Sequence, residues 1–143
     1  MTLPKGCKNE QKSSSFSSTI TIDDKIGIQE LIAKYNLALD NKNIDEWTST
    51  WIDDGIWTTT FGEAKGKTEL KNMVNKITNE FAGGKRHVST NIIIEDASTN
   101  NMINAKSYLT VIEAQKAPEV VATGVYSDTL KMEVVNGNSY NVN

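Results

Sequence analysis

The sequence contains very little of the chemistry that metal centres, disulfides and membrane spans require. Its 143 residues include one histidine and one cysteine, so neither an internal disulfide nor the clustered ligands of a zinc site can be assembled. No stretch is apolar for long enough to form a signal peptide or a transmembrane helix. Glycine-rich phosphate loops and internal repeats are also missing. We therefore expect a soluble, cytoplasmic protein without a metal site.

The net charge and the length of the chain limit the kinds of protein it can be. A formal net charge of -3 at pH 7 and a pI of about 5.2 give no reason to expect binding to nucleic acid or to an anionic membrane. Apolar residues make up 38% of the chain, which suits one domain with one modest core. Residues 1–21 are polar and rich in serine, and they predict a disordered leader that carries an exposed Cys7. The folded domain is predicted to span residues 22–143.

Apolar residues recur at helical spacing in three places. The strongest pattern follows a cap at Asp23 or Asp24 and stops at the break formed by residues 41–43. A short second helix comes next. Thr68 can cap a third helix, which runs through Phe81 and ends at the glycine pair at positions 83–84.

Strand signals dominate the rest of the chain. The predicted strands are Ile56–Phe61, Lys85–Glu95, Met102–Ala114 and Val120–Glu133, followed by a hairpin in which Asn136-Gly137 joins Val134-Val135 to Ser139–Val142. Residues 98–101 are predicted to form the turn before the Met102 strand. Helices that precede an antiparallel meander predict an α+β domain in which a curved, mostly antiparallel sheet wraps around about three N-terminal helices.

The strand that carries the histidine has two different faces. With a period of two, one face holds His87, Ser89, Asn91 and Ile93, and the other holds Val88, Thr90, Ile92 and Ile94. One interpretation is that His87 faces solvent at the start of the strand. The other is that the polar face lines a cavity, where imidazole would be the group able to exchange protons near neutral pH.

Several short motifs, in this order, resemble the SnoaL-like branch of the nuclear-transport-factor-2-like superfamily from residue 22 to the C-terminus. They are Ile28–Leu31, Tyr35, Asp40, Trp51–Trp57, Gly66, Arg86-His87, Asn91 and Gly124–Asp128. The resemblance implies a cone-shaped α+β barrel with a deep apolar pocket. It is nearest to scytalone dehydratase, bile-acid 7α-dehydratase and hexachlorocyclohexane dehydrochlorinase. The chain departs from these enzymes in its short last strand, which has Tyr140 where they usually have tryptophan.

The resemblance also implies a catalytic site. His87 matches the position of a general base on a strand, Asp40 matches the aspartate that orients it, and Tyr35 falls where a pocket tyrosine can act as an acid. The implied substrate-binding residues are Trp47, Trp51, Trp57, Asn91, Tyr126 and Lys131. Lys131 stands there as the only basic candidate near the position of a leaving-group arginine. Tyr35 is equally compatible with a core position, and Asp40 with a solvated helix end.

The function implied by this resemblance is a cofactor-free dehydratase that acts on a small, apolar, cyclic molecule. Three alternatives stay open: an isomerase or cyclase in the same pocket, a non-catalytic ligand-binding or oligomerisation module, and the small subunit of a ring-hydroxylating dioxygenase. A sheet face that one small domain leaves uncovered also predicts a homo-oligomer, either a dimer or a trimer. Val88, Thr90, Ile92 and Ile94 are the residues predicted on that outer face.

Overall fold

The structure is a computed structural model that describes residues 20–80, 84–97, 101–133 and 139–142. The predicted leader and Cys7 lie outside these residues, except for the leader's last two positions. The described residues form α1 (Ile22–Asp40), α2 (Ile44–Ser49), β1 (Ile56–Thr59), β2 (Gly62–Lys65), α3 (Gly66–Glu80), β3 (Lys85–Asp96), β4 (Met102–Glu113), β5 (Glu119–Glu133) and β6 (Ser139–Val142).

Helix α1 begins two or three residues earlier than the sequence predicts. Thr21 is the N-cap, and its side chain accepts a hydrogen bond from the backbone N–H of Asp24 at 3.1 Å. Asp24 in turn accepts one from the Thr21 backbone N–H at 2.7 Å. The two residues form a capping box, in which each satisfies a backbone donor that the helix end leaves free. Asp24 is therefore the box partner rather than the cap.

Helix α1 ends where the sequence predicts its break. The backbone N–H of Asn43 donates to the Ala38 carbonyl at 2.8 Å, and that of Lys42 donates to the Leu39 carbonyl at 3.1 Å. Lys42 has a φ of 55°. This is the hydrogen-bond pattern of a Schellman motif, with a lysine at the left-handed position that glycine usually occupies.

A hairpin that the sequence analysis missed connects α2 to α3. Strand β1 pairs antiparallel with β2, from Ile56 opposite Lys65 to Thr59 opposite Gly62. Helix α3 then starts at Gly66, two residues before the predicted cap at Thr68, and is described to Glu80. Phe81 and Gly83, at the predicted end of this helix, lie outside the described residues.

The remaining strands form one antiparallel sheet in the order β3-β4-β5-β6. Strand β4 pairs along almost the whole of β5, whereas β6 pairs only with Leu130–Glu133 of β5. The predicted turns at residues 98–100 and at Asn136-Gly137, with Val134-Val135, lie outside the described residues. Three helices packed on an antiparallel sheet confirm the predicted α+β class, with an open sheet rather than a closed barrel.

A β-bulge in β3 changes which of its residues face the helices. The register with β4 shifts between Thr90 and Ile93, and Asn91 has a φ of 54°. A bulge inserts one residue into the alternation, so the inward positions change from odd to even numbers beyond it. The prediction that Ile92 and Ile94 face outward is therefore wrong, because both pack against the core. Ile93 is instead exposed.

The core lies between the helices and the inner face of the sheet. Its most deeply buried large side chains are Trp47, Ile28, Leu70, Ile103 and Leu130. They come from all three helices and from the centre of the sheet, so burial of their apolar surface ties the two layers together. In the part of the chain that the structure describes, no helix is long and apolar enough to cross a membrane.

Candidate active site

The last residue of α1 and the third residue of β3 form a close polar pair. Asp40 Oδ1 lies 2.6 Å from His87 Nδ1. The His87 backbone N–H also donates to the same carboxylate, at 3.0 Å to Oδ2 and 3.2 Å to Oδ1. The Asp40 side chain is 4% exposed and that of His87 is 19% exposed. Two contacts to one buried carboxylate fix the position of the imidazole ring.

This arrangement determines which nitrogen of His87 can react. A carboxylate only accepts hydrogen bonds when ionised, so Nδ1 carries the proton and Nε2 is the basic nitrogen. Nε2 has no hydrogen-bond partner among the described residues. Asp40 and His87 both line a large cavity. The pair has the composition and tautomer of a histidine general base held by a carboxylate.

The cavity has a volume of about 910 Å³ and lies between α1, the β1–β2 hairpin and the inner face of β4 and β5. Its walls are mainly apolar and aromatic, with Ile32, Leu39, Ile56, Leu109 and Val111 among the lining residues. A volume of this size is at the upper end of the range for small-molecule sites. An apolar molecule with several fused rings would fit.

Aromatic side chains form one wall of the cavity. Tyr35, Trp51, Trp57 and Tyr126 all line it. The rings of Tyr35 and Tyr126 meet edge to face with centroids 6.2 Å apart, and those of Trp51 and Trp57 are also 6.2 Å apart. Trp47 is fully buried behind this wall, 5.4 Å from the Tyr35 ring. Aromatic rings packed in this way form a rigid surface.

Three buried side chains that can lose a proton, two phenols and one carboxyl group, lie on the same wall. Tyr126 and Asp128 are two residues apart on β5 and so share its inner face. Burial raises the pKa of Asp128 to about 6. Burial, and then the negative charge of Asp128, raise the pKa of Tyr126. The pKa of Tyr35 is raised by burial and then by Tyr126. Both phenols therefore keep their protons at neutral pH, and Asp128 titrates close to it.

A smaller cavity of about 250 Å³ lies on the other side of the pair, between α1 and β3. Here Asn36, one turn before Asp40, donates from Nδ2 to Ser89 Oγ at 2.9 Å. Ser89 follows His87 by two residues and shares its face of the strand. Two polar contacts, one turn apart, thus join α1 to β3 and hold the Asp40–His87 pair in register.

Comparison with known proteins places this architecture in a family. Residues 21–137 match the SnoaL-like domain family. The chain belongs to that family. A protein of unknown function with a cystatin-like fold from Nostoc punctiforme is 30% identical, with a TM-score of 0.76 over 86% of this chain and 88% of that one.

Two further structures share the fold at lower identity. A nuclear-transport-factor-2-like protein with a cystatin-like fold from Novosphingobium aromaticivorans is 17% identical, with a TM-score of 0.70 over 84% of this chain and 77% of that one. A chain from the same organism, described as the beta subunit of an aromatic-ring-hydroxylating dioxygenase, is 16% identical, with a TM-score of 0.65 over 82% of each chain. Identities this low show the fold alone. Among curated proteins, no sequence matches the chain.

The SnoaL-like fold brings most of the predicted site residues to one cavity. These are His87, Asp40, Tyr35, Trp51, Trp57 and Tyr126. It does not bring Trp47, Asn91 or Lys131 there: Trp47 is a core residue, Asn91 occupies the bulge and is exposed, and Lys131 is exposed on the outer side of β5.

Three charged residues of the cavity were missed by the sequence analysis. Asp128, Lys42 and Lys85 all line the large cavity. A signal for Asp128 was available, because period two on a strand places it on the face of Tyr126. Among the described residues, no three His, Cys, Asp or Glu side chains lie together as metal ligands would.

Proposed function

We propose that this SnoaL-like domain is a small-molecule lyase that removes water from an apolar cyclic substrate. The observation that carries the proposal is the short contact between Asp40 Oδ1 and His87 Nδ1 at the wall of a large, mainly apolar cavity. A carboxylate in this position favours the imidazolium that forms when His87 takes up a proton. The apolar walls around the pair make its surroundings less polar than water, which strengthens the charge interactions of the reacting groups.

In the proposed reaction, His87 Nε2 removes a proton from a carbon atom next to the carbon that bears a hydroxyl group. The electron pair of the broken C–H bond forms a C=C double bond, and the C–O bond breaks. The leaving hydroxide takes a proton from an acid in the cavity and departs as water. The proton on His87 then returns to that acid through solvent, which restores the starting state.

Asp128 suits the role of that acid better than Tyr35 does. An acid donates best when its pKa lies near the working pH, and burial raises the pKa of Asp128 to about 6. Proton donation by Tyr35 would leave a phenolate in a buried site, and burial disfavours that charge, as the raised pKa of Tyr35 reflects. We assign proton donation to Asp128 and orientation of the leaving hydroxyl to Tyr35 and Tyr126.

A screen tests this function directly. The protein is incubated with a panel of ring-hydroxylated alicyclic and polycyclic compounds, and mass spectrometry detects products that have lost one water. We expect such a product for at least one compound, formed by the wild type and not by His87→Ala. A panel without any water loss, or equal product from both proteins, would contradict the proposal.

A second candidate is an isomerase or cyclase that uses the same cavity. The specific observation in its favour is the wall of neutral donors, Tyr35 and Tyr126, in the cavity that also contains the base. Such donors can stabilise an enolate without any leaving group. In the same screen this reaction would give a product of unchanged mass with a different retention time.

A further inference from the structure

Two lysines lie at the cavity beside the Asp40–His87 pair, and the proposed reaction does not use either of them. Lys42 follows Asp40 by two residues at the end of α1, and Lys85 precedes His87 by two residues at the start of β3. Both residues line the large cavity. The contact between α1 and β3 that unites Asp40 with His87 therefore also brings two positive charges to one part of the cavity wall.

The backbone of Lys42 indicates that its side chain has a role beyond ending the helix. Its φ of 55° is a left-handed conformation that disfavours any residue with a Cβ relative to glycine. The Schellman hydrogen bonds at this position are made by the backbone and would be satisfied equally well by glycine. A strained lysine next to a cavity is the kind of outlier from which a functional role can be inferred.

The charges around the cavity leave these lysines available to a ligand. Asp40 is engaged by both the ring and the backbone of His87. Lys42 makes no ion pair with another residue that the structure describes. Lys85 has only a long contact with Glu113, at 3.8 Å. Two positive charges thus lie at the cavity, and neither is held by a short ion pair with another residue that the structure describes.

We propose that Lys42 and Lys85 bind an anionic group at one end of the substrate, so that the ligand has an apolar cyclic body and a carboxylate or phosphate end. The inference rests on the proposed function in taking the large cavity as the substrate site. The apolar body would occupy the aromatic part of the cavity, and the anion would lie on the side of Lys42. This orientation would carry the ring system past His87.

Calorimetric titration with matched probes tests the inference by binding alone, without a catalysed reaction. Adamantane carboxylate and adamantane carboxamide share an apolar cage and differ in charge, and adamantyl phosphate provides the second kind of anion. We expect the wild type to bind the better anion about three- to fivefold more tightly than the amide, as a partly exposed ion pair allows. The preference should shrink at high salt. The tighter of the two anions then identifies the group that the site takes.

Two variants give the matched comparison. Lys42→Gln should bring the affinity for the anion close to that for the amide, whereas Lys34→Gln should leave the preference unchanged, because Lys34 is exposed on α1 and lines neither cavity. Lys42→Gly should also lose the preference while keeping or raising the melting temperature. A lysine that served only to end the helix would leave the preference intact in both Lys42→Gln and Lys42→Gly.

The inference and the proposed function can fail separately. Equal binding of anion and amide, equal effects of Lys42→Gln and Lys34→Gln, or no binding of any probe would overturn the inference. The same titration on His87→Ala should retain the charge preference, because binding does not need the base. If the protein binds anions selectively but removes water from no compound, the result supports the inference about the lysines and contradicts the proposed lyase activity.

Discussion

Asp128 is the residue whose environment departs most from what its sequence context suggests. In the sequence it is one acidic residue among 18, in a strand with alternating polar positions. In the fold it lies on the inner face of β5 beside Tyr126, where burial raises its pKa to about 6. Ionising a carboxyl group away from water costs free energy, so the folded protein holds this proton more tightly than the unfolded chain does.

This difference predicts a pH-dependent stability. Because the folded-state pKa of about 6 is above the ordinary value of 3.8, the stabilising contribution is complete below pH 3.8 and is lost as the pH rises through 6. Asp128→Asn removes the charge and keeps the shape. It should therefore be more stable than the wild type at pH 8, by on the order of 3 kcal/mol at about 1.4 kcal/mol for each pH unit between the two pKa values, and by roughly half as much at pH 5.

Denaturant unfolding of both proteins at pH 5 and pH 8 measures this effect. Asp54→Asn is the control, because Asp54 is exposed in the turn before β1, and its substitution should change stability equally little at both pH values. A difference between Asp128→Asn and the wild type that does not grow between pH 5 and pH 8 would show that Asp128 ionises normally in the folded state.

Secondary-structure elements show how far local sequence patterns determined the fold. The predicted bounds of β4 and β5 agree with the structure to within one residue, because long runs of β-branched and aromatic residues favour strands strongly. Strand β2 was missed because Gly62–Lys65 contains no β-branched or aromatic residue. It is a strand because it pairs with β1, and pairing is a tertiary effect that a local pattern does not report.

The bulge in β3 is the second place where a local rule failed. Period two correctly placed His87 and Ser89 on one face of the strand, which is the inner face in the structure. Beyond Asn91 it failed, because one inserted residue reverses the alternation. Asparagine tolerates positive φ better than most residues, but an asparagine in a strand pattern does not by itself predict a bulge.

The pairing of Asp40 with His87 could not be derived from spacing, since 47 residues separate them. It was predicted by resemblance to the family, and the geometry agrees. The cavity, the burial of Asp128 and the presence of Lys42 at the wall all depend on how α1, the β1–β2 hairpin and β5 pack together. They became visible only once that packing was known.

At the scale of the whole molecule, the outer face of the sheet carries an apolar patch. The bulge in β3 adds Ile93 to this patch by turning its side chain outward. The patch consists of Val88, Ile93, Tyr108 and Val125, with exposed fractions of 37%, 59%, 57% and 61%. Tyr108 lies directly opposite Val125 on the neighbouring strand. Contiguous apolar surface of this kind commonly meets a partner, and we propose that a second copy of the chain covers it.

Light scattering at micromolar concentration tests this assembly. We predict a dimer or trimer for the wild type, and a shift toward the monomer for the double variant Ile93→Thr and Tyr108→Ser, which removes apolar surface at residues that line neither cavity. Lys106→Gln, a substitution on β4 at an exposed polar position, should leave the mass unchanged. A monomeric wild type would refute the proposed assembly.

The most direct test of the central claim is the rate of water elimination by His87→Ala, measured on the compound that the screen identifies. Circular dichroism and the melting temperature must first show that the variant is folded. If His87 Nε2 is the base, the rate should fall by on the order of 10²–10⁴ relative to the wild type, which is the usual contribution of a positioned general base. A folded His87→Ala protein that eliminates water at nearly the wild-type rate would contradict the Asp40–His87 mechanism.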